Sequence, residues 1–406
     1  MTMPPLGIIS ISGYLKVHGY SVRILDMFTN KMSKHAFINL LKEEKPDLIG
    51  ISTYTENFNS VIKLTEVIKK ELEECIIVLG GAHVTFLPDE ALEYSTVDFV
   101  SRGEGEITFV ELLECLNFGT LSLDEIAGLS YRRNNKVVNN IPRKYIEKLD
   151  CLPWTELDKD EIRQYHVKQL IITSRGCPGN CIYCASAALS GVRYRIRSAE
   201  NVFSEIHFKY HKKNERYFAF LDDTFTANKN RLYKFCDYLI KEQIDITWRC
   251  DSRTDILSEE MIDRLYEAGC SSVHIGVESG SQLVIDQINK HIDLKKTENL
   301  LQYMTSKGMQ VMCSFILGHH CDTHETIRET IEMAVRFKQR YNAVVGISIN
   351  TPFPGTRLYN DMQKLGLNLE VTNWSSFDLV QAVFSTKNLT REEIQNYYYE
   401  VNSMVI

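Results

Sequence analysis

Three cysteines stand within eight residues, in the run Arg175, Gly176, Cys177, Pro178, Gly179, Asn180, Cys181, Ile182, Tyr183, Cys184. Thiolates are the usual protein ligands of iron–sulfur clusters, and a loop with Gly176, Pro178 and Gly179 can curl around a cubane so that each sulfur meets a different iron. Three ligands leave one iron open, which separates a catalytic cluster from a four-cysteine electron carrier. The competing reading is a zinc knot or three unconnected thiols. Zinc normally takes a fourth protein ligand from a second pair, and no Cys-x-x-Cys or His pair follows at suitable spacing. The other eight cysteines are scattered singly and read as core packing, with Cys250 and Cys313 inside strand patterns.

A Cys-x-x-x-Cys-x-x-Cys loop after a strand, with an aromatic residue before the last cysteine, resembles the radical S-adenosylmethionine superfamily. The resemblance covers about residues 169–360. It implies one 4Fe-4S cluster on Cys177, Cys181 and Cys184, whose open iron chelates the amino and carboxylate groups of S-adenosylmethionine. An electron from the cluster then cleaves the sulfonium and yields a 5'-deoxyadenosyl radical. Tyr183 falls at the family's adenine-side aromatic, a place that a plain packing aromatic would also fill.

Further positions follow in family order. Asp222 and Asp223 stand where the family has Gly-Gly-Glu, so the resemblance implies that one of them meets the methionine ammonium. Adjacent carboxylates at a strand end are costly to bury unpaired, so they either serve a cation or stay solvated at a helix cap. Arg253 is either the countercharge for the methionine carboxylate or half of an interstrand ion pair. Glu278 with Ser279, flanked by glycines that let a ligand approach the backbone, resembles the family's contact with the ribose or methionine end. Gly318 and Pro352 resemble backbone elements lining the adenine pocket. His319 and His320 follow the fifth strand of this region and either face substrate or, more simply, face solvent.

Ahead of this region, Pro4, Pro5, Leu6 and Gly7 leading into a helix, then residues 50–54 and 79–85, resemble the cobalamin-binding domain of one branch of these enzymes. The implied contacts to the cofactor's nucleotide tail are Ser52 or Thr53 and the pair Gly80 and Gly81. Glycines there let an extended tail lie against the backbone. Gly103, Glu104, Gly105 and Glu106 match a further family element whose role the residues do not reveal. Two departures stand out: the Asp-x-His-x-x-Gly element is absent, and so is a strand ahead of Pro4, which a doubly wound order would place centrally. His83 is either a cobalt ligand or, more simply, a structural turn histidine.

The elements that position these residues are legible as alternation. Residues 1–119 read as helices at 5–18, 34–44, 57–73, 88–94 and 106–116 with strands at 20–26, 47–53, 75–80 and 97–101, a truncated doubly wound, Rossmann-like α/β domain. Residues 120–168 read as a linker with a hairpin, since Asn134 and Asn135 tolerate the left-handed turn between 128–133 and 137–140. Residues 169–360 read as a partial (β/α)6 barrel with strands near 169–174, 216–221, 245–250, 272–277, 310–316 and 344–350, ligands being expected at their carboxyl ends. Ser258 with Glu259 and Glu260 opens one helix and Gly269 closes it. Residues 361–406 read as a helical extension that carries substrate determinants, and the sequence leaves its completeness open.

Whole-chain properties exclude several classes. With 406 residues, 44% of them hydrophobic, the chain can bury two or three cores. Its net charge of -7 and the lack of a long basic run argue against nucleic acid. No run of about 18 apolar residues suggests a membrane span, and the start lacks the pattern of a secretory signal. An odd total of 11 cysteines argues for reduced thiols, hence the cytoplasm. The reading is a cobalamin-dependent radical S-adenosylmethionine methyltransferase acting on a small molecule or peptide and fed by a reductant such as flavodoxin or ferredoxin. The alternatives are a radical enzyme without cobalamin, performing rearrangement, deoxygenation or cyclisation, and a non-catalytic corrinoid or cluster sensor.

Overall fold

The structure is a computed structural model that describes residues 3–27, 29–154, 156–157, 164–167 and 169–405. The chain divides into two compact units, Met1–Glu147 with Cys151–Lys168, and Lys148–Asp150 with Gln169–Ile406.

In the first unit β1 (Leu48–Ser52), β2 (Ile76–Gly80) and β3 (Phe99–Ser101) run parallel. The hairpin of β4 (Leu129–Arg133) and β5 (Lys136–Asn139) extends this sheet antiparallel from the β3 edge, giving the order β1-β2-β3-β4-β5. Asn134 and Asn135 take the left-handed turn with φ of 50° and 60°. This corrects the expected linker: the hairpin belongs to the first domain. Tyr131 and Leu129 bury themselves beside Leu15, Val78 and Phe109, and Arg132 donates to the carbonyls of Leu92 and Val97 at 2.7 Å each.

The expected strand at 20–26 does not form. Its residues pair with no strand among those described, and Tyr20 and Val22 instead rest against the core cluster around Leu15. The apolar alternation is satisfied by packing, while an extended segment without a ladder partner stays irregular. The expected helix at 88–94 is preceded by another short one, Ala82–Phe86, and itself spans Pro88–Leu92.

The second unit opens with β6 (Leu170–Ile171), then a small antiparallel ribbon of β7 (Ser174–Arg175) and β8 (Arg195–Ile196). There follow β9 (Tyr217–Phe220), β10 (Thr247–Ser252), β11 (Cys270–Glu278), β12 (Gln310–Leu317) and β13 (Val344–Ile349). These make one open parallel sheet in the order β6-β9-β10-β11-β12-β13, the expected partial barrel.

Side chains alternate across this sheet. Trp248, Cys250, Val273, Ile275, Val311, Cys313 and Phe315 bury one face against helix residues such as Leu265, Leu301 and Phe337, and burial pushes the Cys313 thiol up to about 12. The opposite face is half-buried. Ser258 caps its helix by accepting from the Met261 amide at 3.3 Å. Gly269, with φ +89°, closes it where a Cβ would lie 2.2 Å from the Ile246 carbonyl.

Residues 361–406 are integral to this unit. β14 (Asn368–Leu369) pairs with β15 (Phe384–Ser385), and the helix Arg391–Val405 packs on β13 and on the helix His324–Tyr341, burying Ile394, Val401 and Val405. Among the described residues no helix is long and apolar enough to cross a membrane.

Candidate active site

The cysteine loop leaves the sheet through β7. Gly176 adopts φ +86°, and a Cβ there would sit 2.5 Å from the Arg193 carbonyl and 2.7 Å from that of Gly191, so only glycine fits where the ribbon turns into the loop. Ile182 is pinned from two sides: its amide donates to the Ile288 carbonyl at 3.1 Å, and its carbonyl accepts from the Leu358 amide at 2.8 Å. Asn289 Nδ2 donates to the Asn180 carbonyl at 2.7 Å. The loop therefore takes its shape from the segments following β11 and β13.

Cys181 is buried, while Cys177 and Cys184 are partly exposed. Burial raises the Cys184 thiol. The Gly179 amide donates to Cys177 Sγ at 3.4 Å. No three His, Cys, Asp or Glu side chains among the described residues surround a point suited to one metal ion. A cubane makes a different demand, placing each thiolate on a separate iron, and three thiols on one glycine-bearing loop fit it.

Behind the loop lies a polar network. Glu278 ends β11 at an interruption of the β11–β12 register, with φ +70°, an unusual value for a residue with a side chain. Its Oε1 accepts from Lys290 Nζ at 2.7 Å, and both are buried. Burial alone would raise the Glu278 carboxyl, but Lys290 outweighs it and holds it low. Burial would likewise lower Lys290, and Glu278 keeps it raised. Gly276 leaves the room, since a Cβ there would lie 2.2 Å from Glu278 Oε1. Tyr183, half-buried beside this pair, has its hydroxyl pK raised by burial and by the Glu278 carboxylate.

His319 contradicts the solvent-facing reading. It is fully buried, its ring 5.6 Å from that of Tyr183, and burial lowers its pK below the usual imidazole value. His320 is half-buried, with the same direction of shift from the same cause.

The two aspartates part company. Asp222 is buried and accepts from the amides of Thr173 at 2.6 Å and Ser174 at 3.1 Å and from the Thr173 hydroxyl, with Arg231 at 3.7 Å. These bonds tie the segment after β6 to the end of β9. Asp223 stays exposed, accepting from Ser186 Oγ at 2.9 Å, and partial loss of hydration raises its carboxyl.

Among the described residues Arg253 makes no interstrand pair. It grips Asp255, two residues on, through Nε and Nη2 at 3.0 Å each. The Ser279 hydroxyl shares a hydrogen with Thr330 Oγ1 at 3.1 Å and accepts from the Ser281 amide at 3.1 Å. Gly318, with φ +80°, packs where a Cβ would lie 2.9 Å from Ile394 of the last helix. Pro352 is buried in the segment leading to Leu358 and its bond with the cysteine loop.

Sequence reasoning missed Lys290 and a chain of three residues on the half-buried sheet face. Asp251 Oδ1 lies 3.5 Å from His274 Nδ1, and His274 Nε2 shares a hydrogen with Ser314 Oγ at 2.5 Å. The signal was present as polar residues at alternate positions of β10, β11 and β12.

In the first unit Gly81 has φ +103°, and a Cβ there would lie 2.5 Å from the Thr53 carbonyl. Thr53 is buried, its hydroxyl donating to the Gly80 carbonyl at 2.6 Å. Ser52 remains half-buried at the end of β1. His83 is buried against the Phe58 ring at 4.3 Å, with Glu90 at 3.6 Å and Thr55 at 3.3 Å, the structural placement. The Gly103–Glu106 element acquires a role: Glu104 accepts from the Ile146 amide at 2.7 Å and buried Glu106 from Ser10 Oγ at 2.6 Å.

Fold and loop together define a two-unit α/β protein whose partial barrel presents three thiols from one loop. The B12 binding domain matches residues 1–113 and the radical SAM superfamily residues 171–334. The chain is 32% identical over 399 residues to an uncharacterised methyltransferase of Pyrococcus horikoshii, covering 97% of this chain and 85% of that one. It is 28% identical over 403 residues to the anaerobic magnesium-protoporphyrin IX monomethyl ester cyclase of Rubrivivax gelatinosus, covering 96% and 71%. The chain belongs to the radical S-adenosylmethionine superfamily, in the branch that carries a B12-binding domain. Its fold is that of the methyltransferase TsrM from Kitasatospora setae, solved with cobalamin and a 4Fe-4S cluster, at TM-score 0.81 and 15% identity over 100% of this chain and 87% of that one. It also matches the cobalamin-dependent enzyme OxsB at TM-score 0.80 and 19% identity, over 99% and 64%.

Proposed function

We propose that this protein is a cobalamin-dependent radical S-adenosylmethionine methyltransferase acting on a small molecule or peptide. The observation that carries the reading is the union in one chain of a three-thiol loop on a partial barrel with a B12-binding-type sheet whose Gly80 and Gly81 lie against the backbone. When bound, the cluster supplies the electron that cleaves the sulfonium, and the corrinoid supplies the methyl group.

The chain's own residues hold and orient. Cys177, Cys181 and Cys184 are the cluster ligands. Asp223, with its carboxylate exposed, receives the methionine ammonium, and Tyr183 lies beside the adenine. Glu278, locked by Lys290, meets the ribose. Gly318 and Pro352 line the adenine side, and Ser52, Gly80 and Gly81 line the nucleotide tail of the corrinoid. Asp251, His274 and Ser314 offer a polar grip for substrate inside the partial barrel. The electron donor is a reduced flavodoxin or ferredoxin, and eleven free thiols suit the reducing cytoplasm.

The test is anaerobic reconstitution with iron, sulfide and hydroxocobalamin, desalting, then dithionite and S-adenosylmethionine. Expected are about four irons per chain, retained corrinoid and release of 5'-deoxyadenosine. Loss of all corrinoid on desalting ends the methyltransferase reading. It would favour the second reading, a rearrangement, deoxygenation or cyclisation without cobalamin; cyclisation is the reaction named for the Rubrivivax relative.

A further inference from the structure

The Cys181 corner of the loop rests on buried positive charge. Arg253, just past β10, is 7% exposed, and its Nη1 donates to Cys181 Sγ at 3.5 Å. The guanidinium is fixed by other bonds: Nε and Nη2 donate to Asp255 at 3.0 Å each, and Nη2 also donates to the Lys290 carbonyl at 2.5 Å. A planar fork held at three donors has little freedom left, so the remaining nitrogen is aimed at the sulfur. Gly179 makes the approach feasible. A Cβ there would lie 2.7 Å from Arg253 Nη1 and 3.3 Å from Cys177 Sγ.

The other corners differ. Among the described residues, Cys177 Sγ meets the Gly179 amide at 3.4 Å and the Thr224 hydroxyl at 3.6 Å, and the Cys184 sulfur meets the Ser186 amide and hydroxyl. The three ligand sulfurs are therefore electrostatically unequal, with the buried Arg253 guanidinium set on Cys181.

We propose that Arg253 is a positioning residue that acts through Cys181 to set the reduction potential of the cluster. The inference rests on the reading that these cysteines hold it. Reduction adds one electron and hence one negative charge, with no bond made or broken. A buried N–H donor and fixed cation at a ligand sulfur stabilise the more negative state, and hydrogen bonds to cluster sulfurs are an established lever on potential. The electron comes from dithionite in the experiment. Asp255 counters part of the charge, so its removal should act in the opposite direction.

The test is a redox titration of the full chain, anaerobically reconstituted, followed by electron paramagnetic resonance without S-adenosylmethionine. Arg253→Met should keep its iron and shift the midpoint to more negative potential, with Arg253→Lys between it and wild type. Asp255→Asn should shift the midpoint to less negative potential. Should Arg253→Met fail to assemble, the ordering of wild type, Arg253→Lys and Asp255→Asn carries the same test. Unchanged midpoints with iron retained overturn the proposal. If affinity for S-adenosylmethionine alone falls, Arg253 serves the methionine carboxylate instead. A wild-type chain that takes up no iron ends the cluster reading itself, a result distinct from an unmoved potential.

Discussion

Lys290 and Glu278 face each other at 2.7 Å, both cut off from solvent, across the space that Gly276 leaves empty. Removing one partner of a buried ion pair strands the other charge, at a cost of about 3–5 kcal/mol. Lys290→Met is therefore expected to destabilise the barrel unit by that order and to weaken binding of S-adenosylmethionine. Urea denaturation and equilibrium dialysis read the two effects. Wild-type stability in the variant would mean that the pair is replaceable.

Asp222→Asn and Asp223→Asn should separate by kind of damage. Asp222 accepts three bonds from Thr173 and Ser174 and lies near Arg231, so its amide would meet donors with a donor. Hydrogen bonds to charged groups contribute about 1.5–3 kcal/mol each, and the loss should appear as a lower melting temperature. Asp223→Asn should melt like wild type and bind S-adenosylmethionine at least about tenfold more weakly, the order of one charge-assisted bond. The reverse pattern would reassign the ammonium contact to Asp222.

Much of this was legible because it is local. The cysteine spacing, the strand alternation and the Asn134–Asn135 turn depend on neighbours in sequence. Lys290 was not legible, since only the bulge at Glu278 turns that carboxylate toward a residue twelve positions later. The aspartate pair shows the same limit: spacing identified two carboxylates, and only the parallel pairing of β6 with β9 decided which one the backbone after β6 engages. Residues 20–26 carry a strand pattern, yet a strand needs a partner, and partners are a property of the fold.

Gly81→Ala should damage the first unit without touching the cluster. A side chain at φ +103° is strained, about 1–3 kcal/mol, and its Cβ would press on the Thr53 backbone at 2.5 Å. The variant is expected to lose hydroxocobalamin on desalting while keeping its iron. Val17→Ala, at an exposed position of the same unit, serves as the control and should retain corrinoid. Equal retention by both variants would remove the glycine pair from the binding site.

Glu205 supplies a pH test away from the cysteines. It is fully buried between Arg197 and Lys209, each at 2.7 Å. Burial would raise its carboxyl, but Lys209 and Arg197 together hold it below the ordinary value, which is about 4.3 in an unfolded chain. The unfolded chain therefore binds this proton at higher pH than the folded one, so stability rises with pH through this window. Glu205's contribution is complete above about pH 4.3 and is lost as pH falls through its lower folded value. Glu205→Gln leaves two buried cations facing each other, a loss of about 3–5 kcal/mol near neutrality. The gap between the iron-free wild type and variant in urea midpoint should shrink as pH falls below about 4. A gap that stays constant down to pH about 3 would show that Glu205 stabilises the fold by packing rather than by charge.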